Sequence, residues 1–142
     1  MNVSLGPRLR RIDGDRIAHG IVGGIWLAGA VFNAGWTTRQ VAPFEWLEES
    51  LFPPYRWFFG EVAAQSPVFW TVALVAGETA LGILTLACGK WTRLGLLGGV
   101  LFSLFLFSLA TPYTTMMGGY ALLLAWLLRR VTRSDQVKGL VA

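Results

Sequence analysis

Residues 68–87, VFWTVALVAGETALGILTLA, form a twenty-residue apolar run with a single ionisable side chain, Glu78, at its centre. As a helix, a run of that length crosses a hydrocarbon core of ~30 Å. A charged group at that depth costs roughly 2.5–3.5 kcal/mol on insertion scales. Glu78 is therefore expected to face protein, water or a ligand rather than lipid. Three further runs are long enough to span: 17–36, 94–110 and 112–128. The chain is 54% hydrophobic and 14% charged, against roughly a quarter charged in soluble domains. The expected fold is all-α: one integral membrane four-helix bundle over 1–142, with polar tails at 1–14 and 131–142.

Helix boundaries and orientation follow from local chemistry. Asp15, Ser66 before Pro67, and Thr111 before Pro112 offer N-cap oxygens, and Thr92 is a candidate cap for the third helix. Gly89 can end the second helix in a left-handed conformation. Of twelve Lys and Arg residues, ten fall in the two tails and the second loop, and only Arg39 and Arg56 lie in the first loop. That asymmetry predicts both termini and the second loop in the cytoplasm. Trp36 and Trp70 stand at the outer boundary, Trp91 and Trp126 at the inner. A cleaved signal peptide is the competing reading of the N-terminus, but residues 17–36 exceed a signal core and end without a small-residue cleavage site.

The first loop, 37–66, is longer than an ordinary connection. It interleaves Phe44, Trp46, Leu47, Leu51, Phe52, Tyr55, Trp57, Phe58 and Phe59 with Glu45, Glu48, Glu49 and Glu61, and Pro53-Pro54 divides it. Such pieces are expected to lie partly helical at the membrane interface, aromatics in the headgroup region and acids in water.

Candidate chemistry centres on the second span. Thr71, Glu78 and Thr85 are spaced by seven and share a helix face, with Gly82 one turn after Glu78. Two readings stay open: a neutral glutamic acid bonding a neighbouring helix as structural glue, or a ligand or proton site inside the bundle. Tyr120 in the fourth run and Asn33 in the first are the candidate partners. Gly20-xxx-Gly24 and Gly95-xxx-Gly99-xxx-Ser103 are small-residue ladders suited to close helix packing, and Phe102, Phe105 and Phe107 are expected to face lipid or a partner subunit. His19 reads as a solvated helix-end residue. One histidine cannot build a bis-histidine haem, and His19 and Cys88 make no zinc set, so no metal is expected. The cations flank apolar runs, which points to membrane topology rather than nucleic acid.

The stretch Gly77-Glu78-Thr79-Ala80-Leu81-Gly82, followed by Gly89-Lys90-Trp91-Thr92-Arg93-Leu94-Gly95, resembles the middle of DoxX-like membrane proteins. Those have four helices, a glutamate in the second, a following glycine and a short basic turn into the third. The resemblance covers about residues 16–130 and implies roles for Glu78, Gly82 and Arg93. The first helix departs from the pattern: Asn33, Gly35 and Trp36 stand where a lysine often follows small residues. The family includes a DoxD-type subunit associated with thiosulfate:quinone oxidoreduction. The resemblance thus implies a small integral subunit of a redox assembly in the inner membrane of a prokaryote, with quinone as a candidate ligand and other membrane subunits or copies of itself as partners. From another class, a non-catalytic accessory subunit packing on a larger complex fits the same features. The sequence contains no self-contained catalytic constellation, and a solute carrier is disfavoured by the absence of duplicated halves. Cysteines introduced at residues 90 and 135 are expected to react with impermeant thiol reagents only from the cytoplasmic side; labelling from outside refutes that orientation.

Overall fold

A computed structural model describes residues 7–37, 50, 52–109 and 115–139, with side chains for 14–35, 50, 52–109 and 115–133. Among these residues every regular element is helical: α1 (Pro7–Thr37), α2 (Pro53–Trp57) running into a π-helical turn (Phe58–Ala63), α3 (Pro67–Leu86), α4 (Lys90–Ser108) and α5 (Met116–Gly139). Three stretches are long and apolar enough to cross a membrane: Gly14–Gly35 within α1, α3 and α4. The apolar part of α5 that is described, 116–128, is shorter than the roughly 20 residues a crossing needs, and residues 112–114 lie outside the described set. Glu45, Glu48, Glu49, Phe44 and Trp46 of the first loop also lie outside it.

Several boundaries differ from those expected. The helices α1 and α5 run well past their apolar segments into the polar tails, α1 starting at Pro7 and α5 ending at Gly139. Asp15 is consequently helix interior, and its carboxylate pairs with Arg130 of α5 at 2.8 Å instead of capping α1. Ser66 is the N-cap of α3, with Pro67 at the first helical position, but its hydroxyl makes no capping bond. Thr92 lies inside α4, where its hydroxyl donates to the Ala87 carbonyl across the turn, and Gly89 precedes the helix. Gly89 adopts φ +66°, the left-handed region where a side chain is strained. That residue makes the tight α3–α4 reversal.

Burial is inverted relative to a water-soluble protein. The buried residues of α3 are Thr71, Glu78, Gly82 and Thr85, whereas Val68, Phe69, Val72, Ile83 and Leu86 are exposed. The same holds for α4, where Gly95, Gly99 and Ser103 are buried and Leu94, Leu97, Leu101 and Leu104 point outward. This is the arrangement expected where the surrounding solvent is hydrocarbon. A smaller apolar core forms from Val22 and Trp26 of α1, Leu96 of α4, and Leu124 and Leu127 of α5, with Leu81 of α3 packed against it.

Glycines set the distances between helices. A Cβ at Gly23 would lie 3.1 Å from the Gly82 carbonyl, and a Cβ at Gly82 would lie 3.1 Å from the Gly23 carbonyl, so α1 and α3 cross backbone to backbone. At Gly95 a Cβ would come within 2.5 Å of the Thr85 backbone nitrogen. Gly99 lies under Leu124 and the Trp26 indole. On α1 the small residue at the crossing is therefore Gly23, not Gly20 or Gly24; both of those are exposed with nothing within 4 Å. The reason is rotational: one residue along a helix turns the side chain by about 100°. Phe102 likewise turns inward against Trp26, with centroids 5.7 Å apart, while Phe105 and Phe107 stay exposed.

Gly95→Ala is expected to lower stability in detergent by about 1–3 kcal/mol, since backbone must shift to admit the methyl group. Gly24→Ala, on the open face, should leave stability unchanged or raise it, as alanine is the better helix former. Thermal unfolding of the two variants side by side checks the contrast; equal losses refute it.

Candidate functional site

Antiparallel packing brings the middle of α3 against the C-terminal half of α1. Because α1 and α3 cross at Gly23 and Gly82, the residue one turn before Gly82, Glu78, meets Gly29. A Cβ at Gly29 would lie 3.3 Å from Glu78 Oε1 and 3.6 Å from Oε2, so the carboxyl rests on the α1 backbone. One turn further along α1, Asn33 Nδ2 donates to Glu78 Oε2 at 2.8 Å. The glutamate is 7% exposed. The amide completes what the glycine permits: Gly29 makes room for the carboxyl, and Asn33 supplies a neutral donor to it.

The other polar residues of this face behave differently. Thr71 donates to the Pro67 carbonyl of its own helix at 2.8 Å, a local bond that takes the hydroxyl away from any neighbour. Thr85 is fully buried where α4 comes closest, beside Gly95. Gly82 lies at the α1 crossing. Tyr120 is not drawn to the carboxyl: its ring packs edge-on against Trp26, with centroids 5.6 Å apart. Of the two candidate partners, Asn33 therefore bonds Glu78 and Tyr120 joins the tryptophan. Gly29 and Trp26 carry weight that the sequence reading missed. For Gly29 a signal existed, since Gly29 and Asn33 are spaced by four and share a face.

The two ends of the helices differ in chemistry. Asp15–Arg130 ties early α1 to α5, and the antiparallel pairing of α1 with α3 brings the Gly89 turn to the same end. Arg16, Lys90, Arg93, Arg129, Arg130 and Arg133 thus collect there. Trp91 and Trp126, both half-exposed, carry Lys90 and Arg130 over their rings at 5.2 and 4.7 Å. His19 lies within electrostatic reach of Asp15 and Arg130, a more enclosed position than a solvated helix end. At the opposite end Phe59 and Ala63 of the π-helical turn bury against Leu109, with Tyr55, Phe58, Trp70 and Leu106 around them. Ser50 Oγ donates to the Leu109 carbonyl at 2.6 Å, and the Tyr55 and Ser108 hydroxyls bond at 2.9 Å. Arg56 and Glu61 are exposed on this platform.

No known protein family, curated protein or solved structure matches this chain.

The Asn33–Glu78 bond generates a quantitative expectation. A double-mutant cycle with Asn33→Ala and Glu78→Ala should return a coupling energy near the ~0.6 kcal/mol average for bonds between membrane helices, and below about 1.7 kcal/mol. Additive losses, with no coupling, refute a direct bond.

Proposed function

We propose that this chain is a four-helix integral membrane subunit of a redox or electron-transfer assembly, with the Asn33–Glu78 pair as its functional site. The observation that carries the proposal is the inward face of α3, where Thr71, Glu78, Gly82 and Thr85 are buried while the apolar residues face out. A purely structural helix in hydrocarbon has no need of a carboxyl at its centre, since small residues alone let helices approach. In this reading Glu78 is held as the neutral acid: Oε2 accepts from Asn33 and Oε1 carries the proton, the form that hydrocarbon tolerates.

The redox assignment rests on the DoxX-like resemblance, and the site's chemistry agrees with it. A neutral acid and an amide N–H are donors suited to the carbonyl oxygens of a lipid-soluble quinone. The orientation proposed is termini inward, in a prokaryotic inner membrane, supported by the collection of cations at one end. The second reading, a non-catalytic accessory subunit, draws on one specific observation: Glu78 already has its partner in Asn33, as structural glue requires.

Purification from native membranes in mild detergent separates the two. Quinone in the extract, lost from Glu78→Gln while the partner proteins remain, supports the functional site. A partner complex without quinone, indifferent to Glu78→Gln but weakened by Glu78→Leu, supports the accessory reading and refutes the first.

A further inference from the structure

Among the described residues the interior contains a second set of polar groups, and its unpartnered atoms gather toward one end. Among the described residues, Trp26 Nε1, Thr85 Oγ1, Ser103 Oγ, the Tyr120 hydroxyl and His19 Nε2 are buried side-chain atoms without a hydrogen-bond partner. Trp26 is 5% exposed, and Thr85 and Ser103 are 0% exposed. Buried polar groups are retained at a cost in folding free energy unless something bonds to them.

Contacts between helices order these atoms along the axis. Leu124 and Trp26 meet at Gly99, and Phe107 meets Gly118, so antiparallel α4 and α5 bring Tyr120 level with Ser103. Leu81 meets Gly98 and Thr85 meets Gly95, which puts Glu78 within about one turn of the same level. From there the unpartnered atoms descend toward the basic end: Ser103 and Tyr120, then Trp26 beside Gly99, then Thr85 beside Gly95, then His19 near Asp15 and Arg130. Among the described residues on the other side of Glu78, the buried hydroxyls of Thr71 and Ser50 are both paired, to the Pro67 and Leu109 carbonyls.

The geometry points to a proton-access path, lined by Thr85, Trp26, Ser103 and Tyr120, that joins the basic end to Glu78 through bound water. Water suits this set because it donates and accepts at once, satisfying an indole N–H and hydroxyls together. The α4 positions beside which these atoms fall, Gly95, Gly99 and Ser103, are one turn apart, a rise of ~5.4 Å along the axis that one bridging water covers. The indole only donates, so Trp26 anchors water, and protons pass along the hydroxyls and the water itself. One proton enters from the aqueous phase and ends on the Glu78 carboxylate; each intervening oxygen accepts one and releases one, leaving the path unchanged. The return reverses these transfers. This path rests on the proposed reading of Glu78 as an exchangeable acid.

Infrared spectroscopy of the full chain in lipid vesicles tests it. The protonated carbonyl band of Glu78 is identified by its loss in Glu78→Gln, and its exchange is timed after transfer to D2O. Thr85→Val and Tyr120→Phe each remove a hydroxyl at nearly constant shape, and circular dichroism checks that they fold. Exchange slowed at least about tenfold by either, with Thr71→Val exchanging like the unmodified chain, is the expected result. Unchanged exchange in both path variants overturns the path and leaves the Glu78 reading standing. Slowing by Thr71→Val alone reverses the side of access and overturns it too. Absence of the band from the unmodified chain refutes the neutral acid, and the path with it.

Discussion

The backbone crossing of α1 and α3 at Gly23 and Gly82 determines where the other features fall. Where the surroundings are as apolar as the side chains, burying leucine gives no drive to associate, and helices are held by dispersion and by hydrogen bonds. Both act at short range, so backbones must approach closely. Two glycines facing each other permit that approach, and the crossing then sets the register of everything nearby. One turn from Gly82, Glu78 meets the bare backbone at Gly29; one turn from Gly29, Asn33 reaches the carboxyl. The Gly95–Thr85 contact does the same between α3 and α4.

The consequence is an interior that mixes two kinds of contact. Around Val22, Trp26, Leu96, Leu124 and Leu127 the helices interlock through shape, with Trp26 touching Phe102 and Tyr120 edge-on. Around Glu78 they interlock through a polar bond at the middle of the apolar α3. That bond holds the two helices together through one oxygen of the carboxyl.

The ends are built for different neighbours. Arginine and lysine over Trp126 and Trp91, with the Asp15–Arg130 pair between α1 and α5, make one end cationic. The other end is closed by the π-helical turn seated on Leu109, which leaves Phe52, Trp57 and Phe69 exposed. Trp57, whose indole carries a polar N–H, suits the boundary between headgroups and acyl chains, whereas the cationic end suits an anionic lipid surface. The two ends thus give the helices a direction.

Much of this was legible in the residues themselves. Long apolar runs dictate helices, because hydrocarbon leaves the backbone no other partner than itself. The spacing of Thr71, Glu78 and Thr85 by seven puts them on one face in any helix, and the inward side of α3 is that face. The ladder of Gly95, Gly99 and Ser103 marked the buried side of α4 for the same reason. Identical logic applied to Gly20 and Gly24 picked a row of α1 that meets no other described helix of this chain, since several small residues line α1 and periodicity alone does not say which row meets a neighbour. Nor could it say that Glu78 bonds Asn33 rather than Tyr120, that Thr92 turns to the Ala87 carbonyl, or that Phe102 faces inward. Local chemistry determines an element and its faces; which faces meet depends on the rotation and register of whole helices, and those are decided only when all the close contacts are made together.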